Sequence, residues 1–242
     1  PAVTFSINKS DAVTSVSQSL KEDTQRLFNT QKEIKVIPNF IDIDKYKNNF
    51  KDCDRDLLAL PNERVITHVS NFRPVKRISD VIEVFYRVQK EVPSKLMMVG
   101  EGPERKQAEQ LCKSYGIQDK VVFLGNSSEV DKILCFSDLF LLPSKTESFG
   151  LAALEAMASA VPVISSNSGG IPEAIIDGET GIIIPHIKGN VIDVESYTNG
   201  MLRLANSPEV CHEMGKKGHI RAQELFTEEI TVTKSAEVFK RC

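Results

Sequence analysis

Short apolar runs alternate with amphipathic stretches along almost the whole chain, and this alternation constrains the fold more than any single residue does. Strand and helix patterns in βαβα order predict a mostly parallel sheet with helices on its faces. A first unit reads as a strand over 12–17, a helix over 18–28 with Ser17 or Ser19 near its cap, and a strand over 35–37 ended by Pro38-Asn39. Residues 42–62 are polar, charged and mostly aperiodic, with room for a short helix over 54–60, and a domain boundary falls there. A second unit starts afresh with strands over 65–70, 95–99, 121–124, 139–142, 161–165 and 181–184. Between them, a helix from Ile78 lays Val81, Ile82, Phe85 and Val88 on one face, and further helical patterns cover 104–115, 130–136, 149–158 and 172–176. The tail from Val194 onward is helical. The pattern predicts a doubly wound α/β domain preceded by the remnant of another. The chain begins at Pro1 and opens on a β-like segment, so a fragment is expected.

Composition narrows the function classes. A chain of 242 residues with 41% hydrophobic and 26% charged residues can bury a substantial core. A formal net charge of -3 gives no global basic excess and disfavours nucleic acid as a partner. No run of about 18 apolar residues and no signal sequence is seen, which argues against membrane insertion and secretion. Cys53, Cys112, Cys135, Cys211 and Cys242 are scattered without a C-x-x-C pair, so reduced thiols and a cytoplasmic protein are expected.

The chemistry-bearing residues cluster in loops that follow the expected strands, where open α/β sheets bind ligands. After the first strand of the second unit comes Asn71-Phe72-Arg73-Pro74-Val75-Lys76-Arg77, which sets cations at a helix start, against the helix dipole but well placed for phosphate oxygens. Gly100-Glu101-Gly102-Pro103 lacks the third glycine of a dinucleotide fingerprint and reads as a tight turn with Pro103 at helix position N1. Gly125-Asn126 offers exposed backbone to a base edge. After the run 139–142, Glu147-Ser148-Phe149-Gly150-Leu151 enters a helix that carries Glu155 about two turns up, and its free amides suit an anionic or hydroxyl-rich ligand. Two glutamates at that spacing also fit a solvated helix flank. Gly169-Gly170 gives a turn flexible enough for close approach to a ligand. Asp42-x-Asp44, Asp52-x-Asp54 and Asp54-x-Asp56 resemble metal-holding triplets but fall in the polar stretch, where they read as linker carboxylates. The histidines His68, His186, His212 and His219 form no metal-ligand pattern and receive no role.

In their order and spacing, Arg73 and Lys76, Gly100-x-Gly-Pro103, Glu147-x7-Glu155, Gly169-Gly170-x-Pro-Glu173 and Asp177-Gly178-x-Thr-Gly181 resemble the retaining GT-B glycosyltransferases, a family that includes sucrose-phosphate synthase-like and bacterial sugar transferases. Asn39-Phe40-Ile41-Asp42, Ser70-Asn71-Phe72-Arg73 and Lys145-Thr146-Glu147 are similar, within it, to the subgroup that joins N-acetylglucosamine to L-malate in bacillithiol biosynthesis. The resemblance implies a C-terminal Rossmann-like, doubly wound parallel sheet over 45–220. It also implies a βαβ remnant of an N-terminal acceptor-binding domain over 1–44, and a C-terminal helix over 221–242 that packs back toward that domain.

The same resemblance implies roles. Arg73 and Lys76, with Asn71 beside them, would hold the diphosphate of a UDP-sugar without a metal or other cofactor. Glu147 and the backbone of Ser148, Phe149, Gly150 and Leu151 would take the donor sugar's hydroxyls. Glu155 would take the ribose hydroxyls, and Gly125 and Asn126 would border the uracil. Two readings stand side by side: a retaining hexosyltransferase acting on a small acceptor, or on a lipid or saccharide, and a donor-binding fragment without activity of its own. A homo-oligomer is compatible with both.

Overall fold

The computed structural model describes residues 2–46, 55, 59–187 and 191–240. The helix expected over 54–60 and the triplets built on Asp52, Asp54 and Asp56 fall wholly or partly outside this set, as do Cys53 and Cys242.

The chain opens on helix α1 (Ala2–Lys9), where a β-like segment was expected. Its Val, Thr, Phe and Ile favour a strand in isolation. The small sheet nearby holds only two strands, so α1 satisfies its backbone locally, and none of its residues is buried. Strand β1 (Val13–Ser15) and strand β2 (Ile34–Val36) form that sheet in parallel, with Val13 opposite Ile34. Helix α2 (Gln18–Phe28) makes the crossover. Ser17 caps it, its Oγ accepting from Leu20 N at 3.1 Å, and Asn29 ends it in the left-handed region.

Six parallel strands make the main sheet: β3 (Arg64–Val69), β4 (Ser94–Val99), β5 (Val121–Gly125), β6 (Leu139–Leu142), β7 (Val163–Ser166) and β8 (Gly181–Ile184). Their order is β5-β4-β3-β6-β7-β8, the doubly wound arrangement. Helices α3 (Ile78–Glu91), α4 (Arg105–Tyr115) and α8 (Val194–Ala205) cover one face. Helices α5 (Val130–Cys135), α6 (Leu151–Ala158) and α7 (Ile171–Ala174) cover the other, and α9 (Pro208–Leu225) gives Met214 to the first core and Ala222 to the second. Strand β6 shows why the sheet needs both layers: Leu139 and Leu141 join the first core and Phe140 and Leu142 the second, all four buried. On α3, Val81, Ile82, Phe85 and Val88 are fully buried, so each contributes about 1.5–3 kcal/mol of apolar burial.

Helix α10 (Glu228–Phe239) returns to the first unit, where Thr231 Oγ1 donates to Pro38 O at 3.2 Å. Just before it, Ile41 N–H donates to Phe226 O at 2.8 Å. Two sequence expectations change. Helix α4 starts at Arg105 with Glu104 as its cap, so Pro103 lies in the preceding turn and not at N1. Cys135 is disulfide-bonded, whereas Cys112 and Cys211 are free, so reduced thiols throughout is not what the structure has.

Candidate functional site

Strands β3 and β6 are neighbours whose chains wind away in opposite directions, which opens a crevice beyond their carboxyl ends. The loop after β3 carries Asn71, Arg73 and Lys76, and the loop after β6 carries Glu147. Lys145 N–H donates to Val75 O at 2.7 Å and joins the two loops. Lys76 Nζ lies 2.5 Å from Glu147 Oε1, with both side chains largely buried. The residue expected on the diphosphate and the one expected on the sugar therefore form one ion pair. Arg73 and Asn71 are exposed beside it, and Arg73 has no ion-pair partner among the described residues.

The β3 loop is held from below. Phe72 is fully buried and meets Phe123 edge-on, with ring centroids 6.4 Å apart. Gly100, at φ +123°, allows the next loop to lie against it, because a Cβ there would stand 1.8 Å from Ser70 O. His68 is fully buried, with Nδ1 2.8 Å from Leu141 O and Nε2 2.7 Å from Ser70 Oγ. Burial pushes its imidazole down to about 4, so at neutral pH Nδ1–H donates to the carbonyl and Nε2 accepts from the hydroxyl. His68 thus ties β3 to β6 beneath the crevice and is structural.

At the start of α6, Phe149 is buried in a T-shaped contact with Phe226, so only its backbone is available to a ligand. Gly150 is the N-cap, and α6 has no side-chain cap. Ser148 and Leu151 are exposed. Glu155 is half-buried beside the Tyr46 hydroxyl, a neighbour the sequence reading missed. Burial raises the Glu155 pKa, the nearby Tyr46 hydroxyl and Lys45 oppose that shift, and Asp131 adds to it. The signal for Tyr46 lay in Asp42-x-Asp44. Asp42 Oδ1 accepts from Asp44 N–H at 3.1 Å and starts the 3-10 turn Ile43–Tyr46 that delivers the tyrosine.

Gly125 ends β5 and Asn126 follows it, two strands from the switch point, and Asn126 is exposed. On the other flank, the turn after β7 presses on the Glu147 loop. Gly169 takes φ +53°, a Cβ on it would stand 1.6 Å from Glu147 O, and Gly170 N–H donates to Glu147 O at 3.2 Å. Glu173 reaches the N-terminus of α2, accepting from Gln18 N at 2.8 Å and Ser19 N at 2.9 Å. Ser17 Oγ donates to Ser148 O at 2.6 Å, so the first unit docks directly on the site loop. A cavity of about 410 Å³ between α2 and these loops is lined by Ser19, Glu147, Ser148, Gly169 and His186, among others. The motif Asp177-Gly178-x-Thr-Gly181 lies elsewhere. It closes a turn at the amino end of β8, with Asp177 Oδ1 accepting from Ile183 N at 2.8 Å.

Residues 50–221 match the family described as Glycosyl transferases group 1. N-acetyl-alpha-D-glucosaminyl L-malate synthase of Bacillus anthracis is 38% identical over 238 residues, which cover 98% of this chain and 61% of that protein. Trehalose synthase of Pyrococcus horikoshii is 34% identical over 177 residues, or 69% of this chain and 41% of the relative. The chain is thus shorter than two thirds of either. Among solved structures, HepE of Anabaena in complex with UDP and glucose superposes with a TM-score of 0.87 at 22% identity, over 100% of this chain and 66% of that one. Sucrose-phosphate synthase of Thermosynechococcus elongatus gives 0.88 at 24% identity, over 99% and 60%. No helix among the described residues is long and apolar enough to cross a membrane.

Proposed function

The chain belongs to the glycosyl transferases group 1 family and has the GT-B fold, and on that premise we propose that it is the donor-binding part of a retaining, metal-independent hexosyltransferase. In this reading the whole protein moves N-acetylglucosamine from a UDP-sugar to L-malate, and no cofactor takes part. The observation that carries it is the exposed cation Arg73 beside the Lys76–Glu147 pair, at the switch point of the sheet. The 38% identity to the Bacillus anthracis synthase supports the choice of donor and acceptor.

Arg73 and Lys76 take the diphosphate oxygens, with Asn71 beside them, and stabilise the charge that develops as the bond from the sugar C1 to the UDP oxygen breaks. Lys76 also orients Glu147 toward the sugar hydroxyls, and the backbone of Ser148 to Leu151 adds donors. Glu155, beside Tyr46, accepts from the ribose hydroxyls. Gly125 and Asn126 border the uracil. The acceptor oxygen attacks C1 on the face the diphosphate leaves, and its proton passes to a phosphate oxygen, which preserves the anomeric configuration.

Residues 1–44 belong, in this reading, to the acceptor domain, and 45–220 to the donor domain. The docking of Ser17 on Ser148 and of α10 on Pro38 supports a close pairing of the two. A cytoplasmic location goes with the reading; the free thiols Cys112 and Cys211 support it and the bonded Cys135 opposes it. The test is a donor and acceptor screen on the protein extended to the length of its relatives, including UDP-N-acetylglucosamine with L-malate. We expect an α-linked product, insensitivity to chelators, and no turnover by the 242-residue chain alone. An inverted product or loss of activity with a chelator would overturn the mechanism, and turnover only with other acceptors would overturn the assigned substrate.

A further inference from the structure

His186 directly follows the last strand of the sheet, and its backbone is fixed on both sides. Asn167 N–H donates to Ile184 O at 3.0 Å before it, and Ile187 N–H to Val191 O at 2.9 Å after it. His186 is among the residues that line the cavity shared with Glu147, Ser148 and Gly169, and its Nε2 is enclosed and has no hydrogen-bond partner among the described residues. A buried polar nitrogen without a partner is costly, so a turn of the ring that brings Nε2 to the wall of the adjoining polar cavity is favoured once water or a ligand there can pair with it.

Strand order decides which part of a ligand it meets. The expected uracil site follows β5 and the expected diphosphate site follows β3, whereas His186 follows β8, beyond Glu147 in the opposite direction. The nucleotide end of a donor lies on the far side of Glu147, and the sugar end faces the cavity. Resting on the reading of Glu147 as a sugar contact, the geometry points to His186 as a specificity-determining residue whose ring turns on donor binding so that Nε2 hydrogen-bonds a hydroxyl of the transferred sugar. Nothing in the resemblance that identified the other site residues assigns this position a role.

The test compares UDP with UDP-N-acetylglucosamine and UDP-glucose by calorimetry, on the 242-residue chain and its His186→Ala and His186→Gln variants. For His186→Ala we expect UDP affinity within twofold of the original, while the affinity for one of the two UDP-sugars falls about tenfold, the worth of one well-made hydrogen bond. His186→Gln recovers part of that loss. Thermal midpoints of both variants stay within about 2 °C, because no protein partner of Nε2 is removed. Unchanged UDP-sugar binding in His186→Ala, or equal loss for UDP and both UDP-sugars, refutes the inference while leaving the donor site standing. If the unsubstituted chain binds none of the three, the donor site itself is wrong and the inference falls with it.

Discussion

Gly169→Ala puts the packing of the site to a quantitative test. The residue sits at φ +53°, where an L side chain costs about 1–2 kcal/mol. The new Cβ would also stand 1.6 Å from Glu147 O and 2.8 Å from Glu147 C, backbone atoms that cannot rotate aside. Overpacking of this kind costs about 1–3 kcal/mol more. The total is about 2–5 kcal/mol, or roughly 4–20 °C in the thermal midpoint of a domain of this size. Gly178→Ala is the matched control: φ is +76°, and nothing lies within 4 Å of the added Cβ, so only the conformational cost of about 1–2 kcal/mol applies. Urea unfolding of the two variants measures the difference directly. Because the clash is with the backbone of Glu147, Gly169→Ala should also weaken UDP-N-acetylglucosamine binding at least tenfold, whereas Gly178→Ala should leave it unchanged. Equal destabilisation by the two substitutions, or full UDP-N-acetylglucosamine affinity in Gly169→Ala, would show that the turn after β7 does not set the position of the Glu147 loop.

Three further outcomes are expected. His68 has a folded pKa of about 4, below its unfolded value near 6.5, so the unfolded state binds the proton first; stability is full above pH 6.5 and falls by up to about 3 kcal/mol as pH drops to 4. His68→Gln should flatten that part of the pH–stability curve in urea titrations, and an unchanged slope would count against a neutral buried imidazole. Burial raises the Glu155 pKa above its ordinary 4.5, so UDP affinity should fall as pH drops through that raised value, where the carboxylate ceases to accept from both ribose hydroxyls; Glu155→Gln should lose this pH dependence, and a variant that keeps it would remove Glu155 from the ribose site. The apolar side chains exposed on α10 and α1, with Phe239 79% and Phe5 65% accessible, should make the chain associate in sedimentation velocity, and a monodisperse monomer at high concentration would contradict this.

The strands and the larger helices were legible because each carries its own period. Val81, Ile82, Phe85 and Val88 mark one face of α3 in sequence and are fully buried in the fold. Ser17 announced the start of α2 as a capping residue. Helix α1 was not legible, since its residue types favour strands and only the lack of a third strand in its sheet decides against one. The loops with chemical content were also visible, but not which of them meet. Lys76 and Glu147 are separated by 71 residues and Ser17 and Ser148 by 131. Their contact depends on the strand order, which periodicity does not encode. Tyr46 and His186 were missed for the same reason: one hydroxyl and one ring nitrogen gain meaning only through a partner or a cavity brought from elsewhere in the chain.

The central claim is that Arg73, at the switch point beside the Lys76–Glu147 pair, receives the diphosphate of a UDP-sugar. Calorimetric titration of UDP into the 242-residue chain and into its Arg73→Ala variant tests it most directly. The expected result is measurable binding to the unsubstituted chain, at least tenfold weaker after the substitution, with a further loss at high salt that is larger in the original than in the variant. Absence of UDP binding to the unsubstituted chain, or an affinity indifferent to Arg73→Ala, would contradict it.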